Sequence, residues 1–156
     1  MNLAGFYEES ISNGDGIRAV VFISGCPHKC KGCHNEEAQD FDYGEHFDKE
    51  KVLNSILENN SLKGITISGG EPLCKENVPE VLDFLKEIKS KNSKLDIWCY
   101  TGYTLEQLKK EDNSNIKGVL DIVDVLVDGQ YVESLKNPML KFRGSENQRI
   151  LNLKAI

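Results

Sequence analysis

The chain has 156 residues, of which 39% are hydrophobic and 28% are charged, and its formal net charge at pH 7 is −6. This length suits one domain and is too short for a complete eight-stranded α/β barrel, which takes about 250 residues. The composition is that of a globular protein, and the acidic balance argues against binding to nucleic acid. No apolar run reaches the roughly 18 residues of a membrane span, and the start of the chain lacks the pattern of a secretory signal. We therefore expect a single cytoplasmic domain over residues 1–156, with no nucleic-acid or membrane partner.

The first half of the chain predicts two strands and two helices. An apolar, β-branched run at residues 18–24 is typical of a strand that is covered on both faces. Asp48 is suited to cap the helix that follows, and residues 64–68 predict the next strand. Asn77 and Glu80 then have the spacing of a capping box at the start of a second helix.

The second half of the chain repeats this alternation. Residues 95–100 predict a strand, and Thr104 with Gln107 forms a second capping box. Further strands are expected at residues 123–127 and at residues 149–153. Strands that alternate with helices form βαβ units, so we expect an α/β fold with a mainly parallel sheet.

Three of the five cysteines fall within eight residues, in the segment CPHKCKGC. An odd number of cysteines in a chain expected to be cytoplasmic argues against a disulfide framework. We interpret Cys26, Cys30 and Cys33 as the thiolate ligands of one metal centre. Structural zinc would take a fourth ligand, for which His28 or His34 is available, whereas ordinary iron–sulfur clusters use four cysteines. Three cysteines would leave one iron open for a substrate or cofactor.

Four unusual segments each follow one of the predicted strands. They are the cysteine segment and the sequences SGGEP, TGY and DGQ, which begin at Ser68, Thr101 and Asp128. Because the carboxyl ends of parallel strands share one edge of a sheet, where ligands bind, we expect these segments to form one site. Glycines let the backbone approach a ligand closely, and the carboxylate of Glu71 would complement a cationic group.

The spacing Cys-x₃-Cys-x₂-Cys resembles the signature of the radical S-adenosylmethionine (SAM) superfamily. The resemblance implies that Cys26, Cys30 and Cys33 hold a 4Fe-4S cluster and that the amino and carboxylate groups of SAM bind its fourth iron. One electron from the cluster then cleaves SAM to methionine and a 5′-deoxyadenosyl radical. Most members have an aromatic residue before the third cysteine, where this chain has Gly32.

The segment SGGE resembles the Gly-Gly-Glu motif of the same superfamily, which binds the amino group of SAM. The resemblance implies SAM contacts from Ser68, Gly69, Gly70 and Glu71, with Gly70 and Glu71 as the foremost candidates. No general acid or base is expected, because the cofactors supply the chemistry and the protein orients them.

Other positions in the site follow from the same resemblance. Gly32 and Cys33 are implied to line the SAM site, and His34 is implied to offer its backbone to the adenine. Asp128 matches an aspartate that contacts the ribose region of SAM in activases of glycyl radical enzymes. The segment NGDGIR also resembles the Gly-Pro-Gly-x-Arg segment of those activases, and Arg18 matches its arginine.

Longer segments resemble the activating proteins of anaerobic (class III) ribonucleotide reductases. They are residues 25–35 and the sequences WCYTGY, DGQ and FRGSENQR. In that family a glycine before the third cysteine is usual, which accounts for Gly32. The resemblance covers about residues 6–153 and implies a single radical SAM domain, folded as a partial, open (β/α) barrel of the radical SAM type.

The same resemblance implies two protein partners. One is the large subunit of the anaerobic reductase, on which a glycyl radical would be generated, and the other is a flavodoxin- or ferredoxin-type electron donor. The stretch from Ser134 to the end of the sequence carries five basic residues against one acidic residue, Glu146. The basic residues are Lys136, Lys141, Arg143, Arg149 and Lys154. We hypothesise that this stretch helps to dock one of the partners.

Two alternatives stay open at this point. The first is an activase of a different glycyl radical enzyme, although Cys74 and Cys99 are too few to hold a second cluster. The second is a zinc-stabilised interaction module without enzymatic activity. Iron content and SAM cleavage would separate the second alternative from the radical enzyme.

Overall fold

The protein is described by a computed structural model that covers residues 1–30, 32–33 and 36–155. Seven strands and four α-helices alternate along most of it. The strands are β1 (Asn2–Ser10), β2 (Arg18–Ile23), β3 (Glu45–His46), β4 (Gly64–Gly69), β5 (Asp96–Tyr100), β6 (Val125–Asp128) and β7 (Arg149–Asn152). The helices are α1 (Lys49–Glu58), α2 (Val78–Lys91), α3 (Leu105–Lys110) and α4 (Ser114–Ile122).

The strands form one open sheet in the order β3-β1-β2-β4-β5-β6-β7. The four central strands, β2, β4, β5 and β6, pair in parallel with their neighbours. Both edges are antiparallel, since β1 pairs with β2 and β3, and β7 pairs with β6. The α/β class and the parallel centre of the sheet are therefore confirmed, and the sheet as a whole is mixed.

The five predicted strands are present, with ends within about two residues of those expected. Strands β1 and β3 and helix α4 were not predicted. Strand β1 contains Ala4 and Gly5, which favour strands weakly, and most of its residues are only half-buried or exposed. Its place depends on pairing with β2, in register from Leu3 opposite Ile23, which the pattern of β1 does not reveal.

The core is a single cluster of apolar side chains that includes residues of the sheet and of all four helices. Strand β2 is buried along nearly its whole length, as its apolar run predicts. Helix α2 contributes six buried residues, which are Val78, Val81, Leu82, Phe84, Leu85 and Ile88. Within the residues that the structure describes, no helix is both long enough and apolar enough to cross a membrane.

Two of the three predicted helix caps are confirmed. Asp48 accepts a hydrogen bond from the backbone N–H of Lys51 at 3.2 Å. Thr104 and Gln107 form a complete capping box at the start of α3. The predicted capping box at Asn77 is wrong, because the Asn77 side chain makes no hydrogen bond to the first turn of α2. That side chain is used in the candidate site instead.

Arg18 joins three strands at the amino-terminal edge of the sheet. Its side chain is fully buried, and its guanidinium donates to Thr66 Oγ1 at 2.9 Å and to the carbonyl oxygen of Ile65 at 2.8 Å. It also pairs with the carboxylate of Asp96 and lies over the ring of Trp98. These contacts lie at the opposite edge from the segments that were expected to bind a ligand.

We predict that Arg18→Met destabilises the protein by about 3 kcal/mol, because it leaves Asp96 and several buried acceptors without their donor. Urea unfolding followed by circular dichroism measures this change. The control is Lys63→Met, which removes an exposed pair with Asp15 and should cost about 1 kcal/mol or less. Equal losses in the two variants would contradict the assigned role of Arg18.

Candidate metal centre

A cavity of about 530 Å³ lies at the carboxyl ends of the parallel strands. The segment after β2 lines it with the three clustered cysteines, and the end of β4 lines it with Ser68, Gly69 and Gly70. Thr101 and Gly102 follow β5, and the end of β6 is followed by Gly129 and Gln130. The predicted convergence of four strand-end segments on one site is therefore confirmed.

Cys26, Cys30 and Cys33 all line this cavity as free, half-buried thiols. Burial raises the pKa of Cys26 to about 11 and is also the main cause that raises the pKa of Cys30. Cys26 and Cys30 therefore keep their protons at neutral pH until a metal binds, and ligation would release them. Three thiols on one wall of a cavity fit the donor set of an iron–sulfur cluster.

Among the described residues, no three His, Cys, Asp or Glu side chains are grouped closely enough to hold a single metal ion. This result concerns sites in which all ligands meet at one ion. In a four-iron cluster each cysteine binds a different iron, so its ligands do not need to meet at one point.

Glu71 is fully buried beneath the cavity, and its carboxylate faces into the protein. One oxygen, Oε1, accepts hydrogen bonds from His28 Nε2 and from the backbone N–H of Gly102, both at 2.7 Å. The other, Oε2, accepts from the backbone N–H of Leu73 at 2.9 Å and from Thr101 Oγ1 at 2.8 Å. The arrangement makes Glu71 an anchor for three segments, and an amino group of SAM would have to share its oxygens.

The double glycine before Glu71 is required by the packing of the backbone itself. Gly69 has a φ of +100°, which other residues rarely adopt. A side chain on Gly70 would overlap the carbonyl oxygens of Gly25 and Ala38. The N–H of Gly70 donates to the carbonyl oxygen of Ile23 at 2.6 Å. The result is a backbone surface that faces the cavity and is held against the start of the cysteine segment.

The segment FRGSENQR folds into a compact loop that forms another wall of the cavity. Tyr100 donates a hydrogen bond to the carbonyl oxygen of Phe142 at 2.5 Å, which attaches the loop to β5. Inside the loop, the guanidinium of Arg143 donates to the carbonyl oxygen of Gln148 at 2.5 Å. Gln148 Oε1 in turn accepts from the backbone N–H of Gly144 at 2.9 Å. Most of this segment's polar groups are thus used to shape the loop.

Comparison with known proteins shows the family to which this chain belongs. Residues 12–151 match the family model described as a 4Fe-4S single cluster domain. The chain is 38% identical over 158 residues to the anaerobic ribonucleoside-triphosphate reductase-activating protein of Escherichia coli K12, covering 99% of this chain and 100% of the relative. The protein of the same name from Haemophilus influenzae is 37% identical, with 99% of each chain covered. That from Enterobacteria phage T4 is 36% identical, with 96% of this chain and 93% of the relative covered.

The chain belongs to the family of anaerobic ribonucleoside-triphosphate reductase-activating proteins. The resemblance inferred from the cysteine spacing and the longer segments is thereby confirmed. A 4Fe-4S cluster domain is a property of this family, whereas the individual ligands and the SAM contacts of this chain stay predictions.

Three of the described residues with predicted SAM contacts, Gly32, Glu71 and Asp128, are not among the residues that line the cavity. Asp128 is fully buried, where it accepts from the backbone N–H of Leu105 at 2.8 Å and pairs with Arg149. Arg149 also pairs with Glu106 and lowers the pKa of that carboxyl to about 2. The contacts observed for Asp128 hold the start of α3 and strand β7, and its contact with the ribose of SAM stays a prediction.

Gly32, the residue that departs from the superfamily pattern, is exposed and has a φ of +76°. A side chain at this position would overlap the carboxylate of Glu133. The end of the exposed Glu133 side chain can move aside, so the positive φ is the physical reason for a glycine before Cys33 in this chain. His34, whose backbone was expected near the adenine, lies outside the described residues.

Two polar residues of the site, His28 and Asn77, make contacts there that the sequence analysis did not predict. The side chain of His28 is only 8% exposed and contacts Glu71 at the base of the cavity. Asn77 is buried, and its side-chain amide donates to the carbonyl oxygens of Ser24 at 3.1 Å and Glu71 at 3.0 Å. The position of His28 between Cys26 and Cys30 indicates in the sequence that its side chain could belong to the site. Asn77 has the spacing of an ordinary helix cap, so nothing local pointed to its role.

We predict that Asn77→Asp destabilises the protein by about 3 kcal/mol or more, because a buried carboxylate would face carbonyl oxygens that need a donor. Asn113→Asp is the matched control. Asn113 caps α4 by accepting from two backbone N–H groups, and an aspartate can do the same. Urea unfolding of both variants measures the difference, and a comparable loss in the control would contradict this explanation.

Proposed function

We propose that the protein activates an anaerobic ribonucleoside-triphosphate reductase by cleaving SAM at a 4Fe-4S cluster held by Cys26, Cys30 and Cys33. The observation that carries the proposal is that these thiols line the same cavity as the backbone of Ser68 to Gly70. Bound and reduced at these thiolates, the cluster would supply the one electron that cleaves SAM to methionine and a 5′-deoxyadenosyl radical, and a glycine Cα of the reductase would give up a hydrogen atom to that radical. The products are 5′-deoxyadenosine and a glycyl radical.

The protein's own contribution is to bind and orient the two groups. Cys26, Cys30 and Cys33 would each hold one iron of the cluster, and the double glycine lines the same cavity. We propose that SAM is bound by the segments that meet there, with the backbone near Gly70 as the main contact. The full set of proposed SAM-binding residues is Gly32, Cys33, His34, Ser68, Gly69, Gly70, Glu71 and Asp128. Enclosure of the radical by the walls of the cavity would limit its reaction with water and oxygen.

The open sheet suits a protein substrate. Its edge strands, β3 and β7, lie at opposite ends of the strand order, so the strands do not close into a complete barrel. We propose that residues 1–156 form one radical SAM domain, a partial, open (β/α) barrel, in which a loop of the reductase can reach SAM from the open side. The single apolar cluster shared by sheet and helices supports one domain.

The two proposed partners are the large reductase subunit and a flavodoxin- or ferredoxin-type electron donor. Three basic side chains of the C-terminal stretch are engaged within the chain. Arg149 pairs with Asp128 and Glu106, Arg143 binds backbone carbonyl oxygens, and Lys154 donates to a carbonyl oxygen. The docking hypothesis is therefore narrowed to the exposed Lys136 and Lys141. We place the reaction in the cytoplasm, where the five cysteines, all free here, would stay reduced.

We predict that Cys26→Ser, Cys30→Ser and Cys33→Ser each lose the cluster, because two thiolates hold four irons poorly. After anaerobic reconstitution, iron content, visible absorbance and the yield of 5′-deoxyadenosine from SAM measure the loss. Cys99→Ala is the control, since Cys99 is buried in β5 away from the cavity lining. A wild-type protein that is colourless and binds zinc in place of iron would contradict the proposal.

We also predict that the reconstituted and reduced protein, supplied with SAM, forms a glycyl radical on an anaerobic ribonucleotide reductase. Electron paramagnetic resonance detects the radical, and isotopic labelling of glycine in the reductase identifies it. Other glycyl radical enzymes serve as controls. A radical formed on one of these and not on the reductase would assign the protein to a different partner.

A further inference from the structure

In the cysteine segment, the side chain of His28 contacts residues that follow three other strands, namely Glu71 after β4, Tyr103 after β5 and Gln130 after β6. His28 lies between Cys26 and Cys30, yet its imidazole turns inward and is 8% exposed. Nε2 lies 2.7 Å from Glu71 Oε1, and Nδ1 lies 3.0 Å from Gln130 Nε2. The edge of the ring also packs on Tyr103, with ring centres 4.5 Å apart.

The partners of the imidazole assign a role to each ring nitrogen. Glu71 Oε1 already accepts from the N–H of Gly102, and the tautomer with its proton on Nε2 lets the imidazole donate to the same oxygen. With the side-chain amide of Gln130 donating, Nδ1 is the acceptor of the second bond. The ring is thus held from both sides, and its orientation is set by groups that follow β4 and β6.

The anchor for the ring is itself rigid. Glu71 accepts from the backbone N–H groups of Leu73 and Gly102 and from the hydroxyl of Thr101, so its carboxylate cannot turn without breaking those bonds. Gly102 also leaves the space that the ring occupies, because a side chain there would meet the imidazole at 2.5 Å.

The start of the cysteine segment is held differently, through backbone groups. The N–H groups of Gly25 and Cys26 donate to the carbonyl oxygens of Ala38 and Gln39 at 2.6 and 3.0 Å. Beyond Cys26 the neighbours of His28, Pro27 and Lys29, are exposed. The imidazole is therefore a second attachment point, placed between the first two candidate ligands.

We propose that His28 is a positioning residue that sets where the cysteine segment stands relative to the SAM-facing backbone, through its hydrogen bond to Glu71. This inference rests on the proposed function, because it concerns the same cluster and the same SAM site. The observed contacts of the ring are with Glu71, Gln130 and Tyr103. Its removal would let the segment between Cys26 and Cys30 shift, and SAM would then meet the cluster in a less productive geometry.

Two substitutions separate this role from simple space filling. The side-chain amide of glutamine reaches about as far as Nε2, so His28→Gln can still donate to Glu71. The shorter asparagine reaches only the level of Nδ1, so His28→Asn loses that bond. We predict that kcat/KM for SAM cleavage falls about tenfold or more in His28→Asn and is largely restored in His28→Gln.

Two spectroscopic measurements accompany the kinetics. In the cluster-free protein, an imidazole ¹H–¹⁵N spectrum should show a hydrogen-bonded Nε2–H for His28 that Glu71→Gln perturbs. In the reconstituted protein, SAM should change the electron paramagnetic resonance spectrum of the reduced cluster. We expect this change to differ from that of the wild type in His28→Asn and to be retained in His28→Gln. The control is His46→Gln, since His46 is exposed on β3 and should leave every readout unchanged.

Equal behaviour of the asparagine and glutamine variants, whether both are active or both are impaired, would overturn the positioning role. If His28→Asn does not fold, Gln130→Ala decides the question, because it removes the second bond of the ring; since Gln130 also lines the cavity, a change in the Nε2–H signal of His28 must accompany the loss of activity. A fall in kcat/KM for SAM cleavage that is smaller than the tenfold expected for His28→Asn would support the proposal. An unchanged kcat/KM would overturn it. Failure of the wild-type protein to bind iron or cleave SAM would instead contradict the proposed function.

Discussion

The candidate site depends on one buried carboxylate, that of Glu71. Taking a charge out of water is costly unless donors replace the lost solvation, and here four donors do so. Two of them belong to the segment after β5, and one is His28 in the cysteine segment. The electrostatic need of a single side chain therefore holds together three segments that are far apart in sequence.

The position of this anchor could be predicted from the sequence, whereas its orientation could not. The segment SGGE stands at the end of an apolar strand, and that placement indicates a ligand-binding edge. Which way the carboxylate turns is decided by Thr101 and Gly102, about thirty residues later, and no local pattern encodes that contact. The same holds for Asp128, whose partner Arg149 comes from the antiparallel edge strand.

The central strands and most helices could be predicted because burial on both faces leaves a dense apolar run and because caps have short-range signatures. Strand β1 was not predicted because its residues favour a strand only weakly, and its conformation depends on pairing with β2. Asn77 shows the limit of cap signatures. An asparagine before a helix suits a cap, but the carbonyl oxygens of Ser24 and Glu71 offer its amide buried acceptors. A donor that those acceptors need is worth more than a cap that water can replace.

The sheet is thus tied at both ends by buried charges of opposite sign. Arg18 joins β2, β4 and β5 at their amino ends, and Glu71 joins the segments that leave the same strands at their carboxyl ends. Between these ties the strands are fixed in register, so the cysteine segment leaves β2 from a rigid frame. The segment is then held by backbone bonds at Gly25 and by the imidazole of His28. Both kinds of bond are made by groups of the chain itself, and they place the candidate ligands around the same cavity as the double glycine.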